Sequence, residues 1–103
     1  MYIPPGFNTV TPYYFVQDAQ ALVSFLVRGL GGRETCRTLR TDGRIQNVQV
    51  QIGSSTVMVS EATKDYPPMA SAFYLYVEDA DASMRRALDC GARLEMEVGD
   101  MPY

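Results

Sequence analysis

From Ile45 to Ile52 the chain reads I-Q-N-V-Q-V-Q-I, with Val48, Val50 and Ile52 on one parity and Asn47, Gln49 and Gln51 on the other. A period of two predicts a strand with one buried and one polar face. Upstream, Thr9–Val16 is rich in Thr, Val, Tyr and Phe and predicts a first strand. Pro12 lacks a ladder donor and points to an edge position or an interrupted ladder. Alternation puts Tyr14 and Val16 on one face and Thr11, Tyr13 and Phe15 on the other. Asp18 is a good N-cap, Leu22, Phe25, Leu26 and Leu30 follow at helical spacing, and Gly31-Gly32 ends the helix. Two strands joined by Thr41-Asp42-Gly43-Arg44 come next, Asp42-Gly43 being the signature of a two-residue type I′ turn. The stretch from Thr56 to Ala62 supplies a further strand, so the order is β-α-β-β-β.

Residues 63–71 form a linker by composition. The pattern then restarts: Phe73–Val77 as a strand, Asp79 as an N-cap, Ala80, Met84, Ala87 and Leu88 as a helical stripe, Gly91 as the stop, and Arg93–Val98 as a strand. Alternation sets Leu75 and Val77 on one face, Ala72, Tyr74 and Tyr76 on the other. Tyr13/Tyr74, Val16/Val77, Asp18/Asp79, Ala19/Ala80 and Ala21/Ala82 are all separated by 61 positions. Identities at one offset in matching elements mark a duplicated unit. The expected architecture is a single α+β domain over residues 1–103: a first βαβββ unit at about 9–62 and a second, truncated unit at 72–103. By symmetry the second unit lacks a closing pair of strands, about 25–30 residues. Further chain or a second subunit is expected to cover the edge this leaves, with a homodimer as the expected assembly.

Composition narrows the chemistry. At 103 residues the chain suits one small domain, and its net charge of −3, with one lysine and eight arginines, argues against a nucleic-acid surface. Arg85 and Arg86 are read as a solvated helix face. No run is long and apolar enough for a membrane span, and no leader is seen, which sets a cytoplasmic location as the expectation. Cys36 and Cys90 are expected as buried thiols rather than a disulfide. The chain has no histidine. That removes the commonest general base and the commonest transition-metal ligand, so no catalytic residue is assigned.

The blocks Tyr2–Phe25, Asp42–Glu61 and Leu75–Leu94 resemble the glyoxalase / bleomycin-resistance / extradiol-dioxygenase superfamily, the vicinal oxygen chelate proteins, in its glyoxalase-like branch. The closing Asp100-Met101-Pro102-Tyr103 resembles the lead-in to that family's last two strands. The resemblance implies paired βαβββ modules whose sheets curl into a half-barrel around a cleft, with helices outside. It also implies metal positions on the first and fourth strands of each module, which fall here at Thr11, Ala72 and near Val59, with Glu61 two residues on. Thr11, Ala72 and Val59 offer no imidazole, carboxylate or thiolate, so neither a metal nor any other cofactor is expected.

The expected cleft is lined by Thr11, Tyr13, Phe15, Asn47, Gln49, Gln51, Val59, Glu61, Tyr74 and Tyr76. Aromatic walls with a few amides are the usual make-up of a small-molecule site. Three functions follow in order. The first is a metal-independent protein binding a small organic ligand, of drug or antibiotic type. The second is a lyase, isomerase or dioxygenase whose ligands come from further chain or a partner. The third is an assembly module whose aromatics fill the cleft.

Overall fold

A computed structural model describes residues 2–96 and 99. In chain order the elements are β1 (Tyr13–Val16), α1 (Ala19–Arg28), β2 (Arg33–Leu39), β3 (Ile45–Ile52), β4 (Ser55–Glu61) and α2 (Ala80–Asp89). The four strands form one sheet in the order β1-β4-β3-β2, with β1 parallel to β4 and the remaining pairs antiparallel. The first unit is therefore the α+β βαβββ module expected. β1 is shorter than its composition suggested: it begins after Pro12, at the sheet edge, where the Pro12 carbonyl still accepts from Met58 N at 2.9 Å.

α1 lies across one face of the sheet. Asp18 adopts a left-handed conformation (φ 57°) and its carboxylate accepts from Ala21 N at 3.2 Å. Ala19, Val23 and Leu26, spaced i, i+4, i+7, are the buried residues of this helix. Val23 takes the place expected of Phe25, because the stripe facing the sheet is rotated by part of a turn. These side chains pack on Tyr14, Ile45, Val48, Val50, Val57 and Val59. Leu26, Val23, Val48, Val50 and Val59 are fully buried, each worth about 1.5–3 kcal/mol relative to exposure. Burial also pushes the Tyr14 hydroxyl above its ordinary pKa.

The β2–β3 connection differs from the two-residue turn expected. Arg40 N donates to Arg44 O at 2.8 Å and Gly43 N to Arg40 O at 2.9 Å, closing a three-residue loop. Only Gly43 takes a positive φ (86°) there, while the Asp42 carboxylate accepts from Arg44 N at 2.9 Å. Such a loop ends in a bulge, which suits glycine at its last position. Farther along, Leu39 pairs with Ile45 and Thr38 with Asn47, leaving Gln46 as an extra residue in β3.

The second unit departs most from expectation. Its helix forms as read, with Asp79 accepting from Ala82 N at 3.0 Å and Gly91 at φ 107°. Phe73–Val77 and Arg93–Met96, however, form no strand, and Glu97 and Val98 lie outside the described residues, as do Asp100–Tyr103. In the first unit β1 takes its ladder from β4. Among the described residues no strand lies beside Phe73–Val77 as β4 lies beside β1. Both cysteines are free and exposed rather than buried. Cys36 sits on β2, an outer strand exposed along its whole length.

Candidate functional site

The face of the sheet away from α1 carries Tyr13 and Phe15 from β1, Asn47, Gln49 and Gln51 from β3, and Thr56, Met58 and Ser60 from β4. The register fixes this: Tyr13 lies beside Met58, Phe15 beside Ser60, Gln49 opposite Met58 and Gln51 opposite Thr56. Five of the expected cleft residues, Tyr13, Phe15, Asn47, Gln49 and Gln51, thus share one face.

At one end of this face a cleft of about 630 Å³ is lined by Tyr13, Phe15, Arg40, Gln46, Ser60 and Tyr66, with Thr41, Thr63 and Asp65. The Tyr13 and Phe15 rings stack at 4.8 Å, and Tyr66 stacks on Phe15 at 5.0 Å with planes 15° apart. Tyr66 comes from the segment read as linker. That segment is pinned by Met69 N donating to Phe15 O at 3.0 Å, Thr63 N to Tyr66 O at 2.9 Å and Tyr66 N to Thr63 Oγ1 at 3.1 Å. The Tyr13 hydroxyl is held by Ser60 Oγ at 2.7 Å and accepts from Asn47 Nδ2 at 3.2 Å. Ser60 Oγ in turn donates to the carbonyl of Gln46, the bulge residue. The aromatic wall is therefore fixed at its polar end as well as by stacking.

At the other end of the same face, Thr11, Gln49 and Met58 meet the N-terminal segment around a groove of about 590 Å³, with Tyr2, Ile3, Pro4 and Phe7 on its far wall. That segment is tied down where Thr56 Oγ1 donates to Gly6 O at 2.6 Å. Beside the first cleft, a third of about 510 Å³ is lined by Gln17, Arg44, Glu61, Ala62, Thr63, Lys64 and Pro68.

Four expected cleft residues lie elsewhere. Val59 is fully buried, beside Tyr14 and opposite Val48, in the core under α1. The position carried over from the family's fourth strand is one residue out of phase with the alternation, and Met58 and Ser60 are the β4 residues facing the cleft. Glu61 shares Val59's parity: its carboxylate accepts from Asp18 N and Ala19 N, both at 2.9 Å, at the start of α1. It is a helix cap that also edges the third cleft. Tyr74 and Tyr76 lie with Phe73, Leu75 and Val77 along a separate groove of about 390 Å³, against Pro12, Leu30, Ile52 and Val57. Phe73 meets Tyr14 edge-on at 5.1 Å, which places this segment toward the helix side of the sheet.

Sequence reasoning missed Tyr66, Ser60, Met58 and Arg40. Alternation applied to β4 would have found Met58 and Ser60. Tyr66 had no periodic signal, since loop chemistry alone places it. Arg86, read as solvated, donates from Nε to Arg28 O at 2.5 Å, at the carbonyl end of α1. Among the described residues no three His, Cys, Asp or Glu side chains gather closely enough to hold a metal ion. What the cleft offers is stacking surface, hydroxyl and amide groups, and the Arg40 guanidinium.

No family model matches the chain. It is 27% identical to three uncharacterised proteins over an alignment of 105 positions that covers 88% of its own length. One is from Mycobacterium bovis and two are from strains of Mycobacterium tuberculosis, and the chain spans 67% of the first and 60% of the others. Its fold matches the crystal structure of TioX from Micromonospora sp. ML1 with a TM-score of 0.69. The match has 22% identity and covers 93% of this chain and 80% of that one.

Proposed function

We propose that this protein binds a small, largely planar organic molecule, without a metal, as a glyoxalase/bleomycin-resistance-type binding protein. The observation that carries the reading is the Tyr13–Phe15–Tyr66 stack walling a cleft of about 630 Å³, with Ser60, Asn47 and Arg40 beside it. Offset rings at these spacings favour a further aromatic face, and a few polar groups set its orientation. The fold shared with TioX is consistent with this class. Of the residues named on the cleft wall, Asp65 alone carries a carboxylate, which is a poor donor set for a divalent metal.

Self-association belongs to the same reading. Phe73, Leu75, Tyr76 and Val77 are large apolar residues left exposed in one row, a feature that favours a second copy. A sharp monomer mass at micromolar concentration by native mass spectrometry would exclude it.

The test is calorimetric titration with a panel of planar aromatics against the native chain and the Phe15→Ala and Tyr66→Ala variants. Loss of one stacking partner should weaken binding about tenfold. Affinity unchanged in both variants would remove the cleft from consideration. If no panel member binds, and native mass spectrometry finds no retained organic mass, the aromatics simply fill the fold.

A further inference from the structure

The cleft's neighbour carries charge that the fold does not use. Arg44 and Lys64 both line the 510 Å³ cleft, together with the Gln17 amide and the Thr63 hydroxyl. Lys64 is the chain's single lysine. Among the described residues the ion pairs are Arg37–Glu34 and Arg93–Glu95, and the Arg44 and Lys64 side chains enter neither these nor any hydrogen bond. The one carboxylate lining this space, Glu61, is committed to two backbone N–H groups at the positive end of α1, which offsets its charge. Thr63 is shared with the aromatic cleft, where Arg40 spends one nitrogen on Glu61 O at 2.8 Å and lines the wall with the rest of its guanidinium. In a chain of net charge −3, three cations therefore line two spaces that share Thr63. Asp65, next to Lys64 in sequence, is the carboxylate lining the aromatic cleft.

We infer that the cleft's ligand is an aromatic acid, its ring on the Tyr13–Phe15–Tyr66 wall and its anionic group reaching past Thr63 onto Arg44 and Lys64. The inference rests on the binding reading above and adds the ligand's charge. Two solvent-facing cations at ion-pair range should favour an acid over its neutral isostere by roughly fivefold to tenfold. Salt should weaken the acid's binding.

The experiment compares 2-naphthoic acid with 2-naphthamide by calorimetry on the native chain, on Lys64→Glu and on an Arg44→Gln/Lys64→Gln double variant. Urea titrations confirm that the variants are folded. The expected result is tighter binding of the acid, with the ratio falling toward one in both the double variant and Lys64→Glu, since each leaves no net positive charge on these two positions. Inorganic phosphate competing with the acid but not with the amide would also support the anion seat. Equal affinity for acid and amide in the native chain would overturn the inference and leave the aromatic cleft standing. No saturable binding of either probe would overturn both.

Discussion

Replacing Glu61 tests whether the residue belongs to the fold or to the ligand. Its two carboxylate oxygens each accept one backbone N–H, from Asp18 and Ala19 at 2.9 Å. Both donors lie at the start of α1, where amides lack intrahelical partners and the dipole favours negative charge. Glu61→Gln keeps one acceptor, turns an amide donor toward the other N–H, and removes the charge. A charge-assisted hydrogen bond is worth about 1.5–3 kcal/mol when buried, and this site is only half-covered, so the loss should be about 1–2 kcal/mol. Glu61→Ala removes both acceptors and should cost about 2–3 kcal/mol. For a domain of this size 1 kcal/mol corresponds to about 4–8 °C in Tm. Thermal unfolding followed by circular dichroism, alongside urea titration, reads the effect directly. A Gln variant with native stability but altered ligand affinity would refute the cap and return Glu61 to the site.

Other perturbations separate core, cleft and titration. A Cβ on Gly32 would sit 2.7 Å from Val50 Cγ1 and 2.9 Å from the Leu26 carbonyl oxygen. Gly32→Ala should therefore lower stability by about 1–3 kcal/mol in urea unfolding. Ser60→Ala removes the partner of the Tyr13 hydroxyl and of Gln46 O and should cost about 1–2 kcal/mol, with Tyr13→Phe restoring none of it if the Gln46 contact dominates. Tyr14 is held neutral by burial, so its folded pKa lies above its unfolded value of 10.0. Its contribution is whole below pH 10 and is lost as pH rises through the folded pKa. Tyr14→Phe should thus flatten the alkaline limb of the stability curve measured by pH-dependent melting.

Much of this was legible because local signals and tertiary structure agreed. The parity of Val48 and Val50 against Gln49 and Gln51 read the two faces of β3 correctly, and Asp18 and Asp79 marked both helix starts. The failures have separate causes. Phe73–Val77 has strand composition, yet a strand is made by its partner, and none of the described residues forms a ladder with it. Val59 was assigned by position in a family rather than by parity, which put a core side chain into the cleft. Tyr66 stacks on Phe15 through a loop held by backbone bonds, information that no composition carries. Cys36 was expected as a buried thiol on redox-compartment grounds, which say nothing of strand position, and the sheet order leaves β2 exposed at the edge.

Arg86 has a consequence for how the chain comes apart. α2 buries only Ala87 and is tied to α1 through Arg86, whose guanidinium reaches the Arg28 and Val27 carbonyls. The sheet and α1 share a continuous apolar core, so they open together, at the full cost of unfolding. α2 can detach by breaking far less. Its amides should exchange with solvent well before those of α1, making the chain a cooperative five-element body with a second helix that opens on its own account.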